Sequence, residues 1–341
     1  MSPTPLDPAA PFPAQRYRLE YTVERPLHLP EYAGSALRGL FGRALRHASC
    51  VTRAPTCDGC PLRRSCPYPA IFDTPPPPDA RRTYTQVPHP YVVEPPPWGE
   101  RVHEAGAPFA FHLVLLGPAL AQLPLVLAAW QRALAARVGP ADGAARFERL
   151  LVAADASPIA GADGEVRAHA QTLPPAPPAP PAPITLEFTT PLRLTRDGHA
   201  LRAAHIGAPE LLMALLRRVA ALSEMQLRRP LAVDFAALAA AAQRIETRNE
   251  LHWRDWTRRS ARQQQAMTVG GAVGRLTLHG DDTDLRVWWL LLHLGQWLHV
   301  GKLASFGLGG YRLLPALADR IEGAPLRAAR VRMAASTTAA R

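Results

Sequence analysis

A chain of 341 residues is longer than one core usually supports, which predicts two domains of roughly 150 residues each and excludes a peptide, a coiled coil and a disulfide miniprotein. Apolar residues make up 48% of it but nowhere form the ~20-residue run of a membrane span, and Met1–Gln15 lacks the pattern of a secretory signal or an Arg-rich transit peptide, so a cytoplasmic protein without a membrane role is expected. The net charge of +11 favours a polyanionic partner, although the 39 basic residues include one lysine, Lys302, and the abundance of Arg, Ala and Pro resembles a GC-rich coding bias.

In chain order, Tyr17, Leu19, Tyr21 and Val23 alternate over a strand at Arg16–Val23. A helix follows over Ala33–His47, opened by Gly34-Ser35 as a cap, with Leu37, Leu40, Phe41, Ala44 and Leu45 on one face. Its other face carries Ser35, Arg38, Gly39, Gly42 and Arg46, two guanidinium groups with little bulk between them, which suits either close packing or a ligand. Phe109–Leu115 reads as a strand, Leu123–Ala136 as a helix, and Arg146–Val152 and Glu165–Leu173 as closing strands. Pro174–Pro183 alternates Pro and Ala in a polyproline II tract that acts as a semi-rigid spacer. Beyond it come a strand at Ile184–Leu194, helices at Pro209–Leu227 and Asp234–Ile245, strands at Leu251–Arg262 and Thr268–His279, a helix at Asp284–Val300 and a strand at Tyr311–Leu314. That order is βαββαβ. The expected architecture is α+β: a ferredoxin-like domain over 1–173 with a metal-binding cysteine loop inserted in it, a linker at 174–183, a second ferredoxin-like domain over 184–320, and a flexible tail at 321–341.

All four cysteines fall in one run, Cys50, Cys57, Cys60 and Cys66, after the first helix. Four thiolates this close suit a tetrahedral metal, and the Cys57-x2-Cys60 turn with Gly59 resembles a zinc knuckle. Structural zinc is expected, with an iron–sulfur cluster as the alternative and free thiols as the plain reading. Four Cys ligands leave no open position, so no catalytic role follows for the metal.

Two further segments stand out. His299–Gly310 joins the last helix to the last strand and combines Lys302 and Ser305 with Gly301, Gly307 and Gly309, so that it reads either as a phosphate-holding loop or as an ordinary helix-to-strand connection. Trp253–Gln263 interleaves Trp253 and Trp256 with Arg254, Arg258, Arg259 and Arg262, as RNA-binding sheets do; the plain reading has the indoles in the core and the arginines in solvent.

Taken together, these segments resemble the CRISPR precursor-RNA-processing endoribonucleases of the RAMP superfamily. The resemblance rests on Gly301-Lys302-x-x-x-Phe306-Gly307-Leu308-Gly309, on Gly34–Gly42, on the cysteine cluster, on Val87–Pro96, and on the Trp-Arg segment running into Gly270–Gly274. It implies metal-independent cleavage of CRISPR repeat RNA, in which a 2′-hydroxyl attacks the neighbouring phosphate to leave a 2′,3′-cyclic phosphate. Such chemistry asks for a base, an acid and a cation. The alternative is a non-catalytic RAMP subunit gripping guide RNA in a CRISPR effector complex, and effector subunits are candidate partners in either case.

The superfamily's catalytic histidine has no fixed position, so candidates follow from their surroundings. His47 ends the first helix beside Arg43 and Arg46; His299 opens the glycine loop near Lys302, which would supply the cation. Against these stand a solvated helix-end histidine and a core or capping histidine. His89, between two prolines, reads as structural. The expected RNA contacts are Arg38, Arg46, Arg258, Arg262, Gln263, Gly301, Ser305, Gly307 and Gly309.

Overall fold

The computed structural model describes residues 12–76, 87–99, 101–135, 138–139, 142–180, 182–260 and 265–315. The N-terminal half runs β1 (Ala14–Arg25), β2 (Leu27–Leu29), α1 (Gly34–Ser49), α2 (Pro67–Phe72), β3 (Tyr91–Glu94), β4 (Arg101–His103), β5 (Pro108–Leu116), α3 (Leu123–Ala135), β6 (Ala144–Val152) and β7 (Pro158–Ala160). The C-terminal half continues with β8 (Ile184–Leu192), β9 (Thr195–Arg196), β10 (His199–Ala200), α4 (Ala208–Met225), α5 (Phe235–Gln243), β11 (Glu246–Ser260), β12 (Gln265–His279), α6 (Asp282–Leu298) and β13 (Tyr311–Leu314).

The alternation in β1 buries Tyr17, Leu19, Tyr21 and Val23 and leaves the intervening side chains partly exposed, as a strand covered on one face requires. β1 pairs antiparallel with β5 on one side and β6 on the other, giving the order β3-β5-β1-β6-β7. Leu37, Phe41 and Leu45 of α1 and Val126, Trp130 and Leu134 of α3 complete the core, with the Phe41 and Trp130 rings stacked at 5.0 Å. In the second half β8 is central, the order is β11-β12-β8-β13, and the apolar stripes of α4 and α6 cover the sheet. Both main sheets thus place the first strand of a βαββαβ unit between its third and fourth, the ferredoxin-like arrangement expected.

Four expectations are corrected. The second strand of the first unit is β3, only four residues long, which the sequence pattern had passed over. Glu165–Leu173 forms no strand: the chain there runs beside β1 and is held by scattered bonds, with Gln15 Nε2 donating to the Ala170 carbonyl at 3.0 Å, the Tyr17 hydroxyl 2.9 Å from His169 Nε2, and the Arg167 and Leu173 amides donating to the Ile159 and Phe12 carbonyls. The proline tract is not a detached spacer, because Trp289 Nε1 on α6 donates to the Pro177 carbonyl at 2.6 Å and His293 Nε2 lies 3.3 Å from the Pro174 carbonyl. Within α1, Gly34 and Ser35 lie inside the helix rather than capping it. The tail at 321–341 is outside the described residues.

Candidate nucleic-acid interface

The glycine-rich loop leaves α6 at His299 and is threaded between the two domains. The Tyr32 hydroxyl donates to the Phe306 carbonyl at 2.8 Å, and a Cβ on Gly34, at the start of α1, would strike that same carbonyl. Gly307, at φ +87°, lies against the Val93 carbonyl of β3 and 2.7 Å (measured from an added Cβ) from Pro95 Cδ, so only glycine fits. The amides of Lys302, Gly307 and Gly309 donate to the Arg193, Ala304 and Pro191 carbonyls, and that of Gly310 to the Thr190 hydroxyl. Gly307 therefore serves close packing between domains, Gly301 and Gly309 lie against the Arg193 and Val300 carbonyls of their own domain, Ser305 is buried, and Lys302 is the loop's exposed cation.

His299 is 2% exposed. Its Nδ1 faces the Leu308 carbonyl at 3.1 Å and its Nε2 faces the Glu94 carboxylate at 3.0 Å. Arg16 also reaches Glu94, at 2.7 Å, and donates to the Gln296 carbonyl at 2.6 Å. Burial alone would raise the Glu94 carboxyl, but the Arg16 guanidinium and the His299 bond outweigh it and hold it down at about 2. This is a clamp across the domain interface with no face open to substrate.

His47 sits elsewhere. It is exposed in the last turn of α1, with Arg132 Nη1 3.2 Å from its Nδ1. It lies thirteen residues beyond Gly34, about 20 Å along the helix axis, so His47 and the glycine loop occupy opposite ends of α1. Arg46 is tied into the cysteine loop, bonding the Ala54 and Pro55 carbonyls. Arg38 sits near the loop, its guanidinium between the Phe72 ring at 4.2 Å and the Phe306 ring at 4.5 Å. On the same helix face Gly42 is filled by the Phe72 ring, whereas Gly39 meets only the tip of Arg43.

Trp253 and Trp256 are three residues apart on β11 and so point to opposite faces. Trp256, 4% exposed, packs between Tyr32 and Trp98 of the N-terminal domain at 5.5 and 5.3 Å, so it glues the domains and offers no stacking platform. Trp253 is half-buried, bonds Asp255 and lies beneath Arg202. Arg254, on the Trp256 face, covers Trp98 at 4.2 Å and pairs with Glu31. Arg258 is placed by its backbone pairing with Met267, while Arg262 and Gln263 lie outside the described residues. Tyr32, Trp98 and Arg193 were missed by the sequence reading; Tyr32 directly precedes α1, but nothing local marks its partner.

Cys50, Cys57, Cys60 and Cys66 are unpaired and line one small cavity between α1 and α2. Among the described residues, no three His, Cys, Asp or Glu side chains stand at metal-holding separations. Among the described residues, no helix is long and apolar enough to cross a membrane.

Residues 12–171 match the family model AF_1859_N, described as an N-terminal domain, and residues 186–311 match that of the CRISPR-associated endoribonuclease Cas6. No curated protein sequence matches. Among solved structures, Thermus thermophilus Cas6 is similar at 18% identity and TM-score 0.52, over 90% of this chain and all of that one. A Cas6 product complex is similar at 18% identity and TM-score 0.51, over 88% of this chain and all of that one. A chain of a partial Cas6-RT-Cas1–Cas2 complex is similar at 16% identity and TM-score 0.55, over 92% of this chain and 48% of that one. These likenesses carry the fold. By its C-terminal domain, residues 186–311, the chain is thus similar to the CRISPR-associated endoribonucleases of the Cas6 family.

Proposed function

We propose that this chain cleaves repeat RNA by internal transesterification with no metal in the reaction. The 2′-oxygen attacks the adjacent phosphorus in line; the O2′–P bond forms, the P–O5′ bond breaks, and a 2′,3′-cyclic phosphate remains. One group takes the 2′-hydroxyl proton, another returns a proton to O5′, and a cation offsets the added charge on phosphorus. The observation that carries this reading is the glycine-rich loop of a Cas6-type domain, threaded between two ferredoxin-like domains with Lys302 exposed on it.

His47 is assigned the proton transfer, because it is exposed and has Arg132 and, one helical turn back, Arg43 to supply positive charge. Lys302, Gly301, Arg38 and Arg258 are assigned to the RNA backbone, and Ser305, Gly307 and Gly309 to shaping the loop. His299 becomes a positioning residue, since both of its nitrogens are committed inside the protein. The cysteine loop is assigned a structural zinc through Cys50, Cys57, Cys60 and Cys66, supported by four thiols around one cavity. Four free thiols also favour the cytoplasm, where the processed RNA would pass to effector-complex subunits.

The test is to incubate repeat RNA with the protein in excess chelator and analyse the product ends. A 3′ end that resists phosphatase until acid opens the ring is expected. A 3′-hydroxyl end, or tight binding without cleavage, overturns the reading, the latter in favour of an RNA-gripping subunit.

A further inference from the structure

At the domain boundary beside Phe306, two arginines stand near enough to one histidine for both of their charges to act on its ring. Arg38 comes from α1, Arg218 from α4 of the other domain, and His89 from the segment leading into β3. Arg38 Nη2 donates to His89 Nε2 at 3.0 Å, and Arg218 Nε donates to the Leu298 carbonyl at 2.7 Å. Three donors are left over. Arg38 Nε, Arg218 Nη2 and His89 Nδ1 are each buried with no hydrogen-bond partner. Burial first, and then the charges of Arg38 and Arg218, pull His89 down to about 3, so its ring is neutral near pH 7. With Nε2 accepting from Arg38, the His89 proton stands on Nδ1, one of the three unpartnered atoms. Burial pulls Arg218 down to about 10, which leaves it cationic near pH 7.

Two cations held half-buried with unpartnered N–H groups are costly unless something supplies negative charge. Neither Arg38 nor Arg218 has an acidic partner within ion-pair distance among the described residues. Arg38 is also fixed in place, gripped between the Phe72 and Phe306 rings, as befits a preorganised anion receptor. We infer that Arg38, Arg218 and His89 form a subsite for one backbone phosphate of the RNA, bridging both domains next to the glycine-rich loop. This rests on the reading of the chain as an RNA-processing enzyme and adds where one phosphate is held. The site joins α1 to α4, so RNA bound there would also tie the two domains together.

The probe is repeat RNA, with the full-length protein titrated at several salt concentrations for the wild type and for Arg218→Met, which keeps the stem and removes the charge. The variant is expected to bind roughly ten- to a hundredfold more weakly, the worth of one charge-assisted hydrogen bond, with a slope of log K against log salt shallower by about one. Its melting temperature in the absence of RNA checks folding, since the variant loses both an uncompensated charge and the bond to the Leu298 carbonyl. An unchanged affinity and slope would overturn the subsite while leaving the nuclease reading intact. If Arg218→Met fails to fold, Arg218→Gln decides: weaker binding with a shallower slope supports the phosphate contact, and an unchanged affinity and slope overturns it. Failure of the wild type to bind the RNA at all would refute the functional reading instead.

Discussion

Across the domain interface, His299 Nε2 stands 3.0 Å from the Glu94 carboxylate, linking the end of α6 to strand β3. Glu94 is held at about 2 in the folded chain, below the ordinary 4.5, so its contribution is fully present above the ordinary value and is lost as pH falls from about 4.5 toward 2. Glu94→Gln should therefore destabilise the protein at neutral pH by on the order of 3 kcal/mol. The gap from wild type should close through that acid window. Thermal unfolding of both proteins between pH 7 and pH 2 checks this, and a pH-independent gap would contradict it.

Trp256 should act on stability. Replacing it with alanine opens a void between Tyr32, Trp98 and Leu308 and should cost about 3–5 kcal/mol. Denaturant unfolding measures the loss. Wild-type stability in Trp256→Ala would show that the indole does not join the domains.

Much of this was legible beforehand. The period-2 run at Tyr17–Val23 and the helical spacing of Leu211 to Leu222 lie within single elements, where local periodicity reports burial directly. β3 escaped because four residues, Tyr91–Glu94, flanked by prolines at Pro90 and Pro95, are too short to show a period. Glu165–Leu173 misled because alternating polarity there meets no partner strand. The glycines of 301–310 were visible, but their purpose depends on Val93 and the Phe306–Gly34 contact, which only the folded chain brings together. Likewise, nothing near His299 in sequence announces Glu94 as its partner.

The proline tract should be held by α6. Trp289→Ala removes the donor to the Pro177 carbonyl, so limited proteolysis should cut within residues 174–180 faster than in wild type. Equal cleavage rates in the two proteins would contradict docking.

Metal removal should separate structure from chemistry. Purified protein should carry about one zinc per chain, and Cys60→Ser should lose it and melt at lower temperature. RNA cleavage should persist in excess chelator. Metal analysis finding no zinc in the wild type would refute the assignment.

The most direct test replaces the scissile nucleotide of the repeat RNA by its 2′-deoxy analogue and compares cleavage of the two RNAs by the same protein in excess chelator. Cleavage of the natural RNA with none of the analogue, at comparable binding, is the predicted result. Equal cleavage of both would contradict attack by the 2′-hydroxyl, and with it the proposed mechanism.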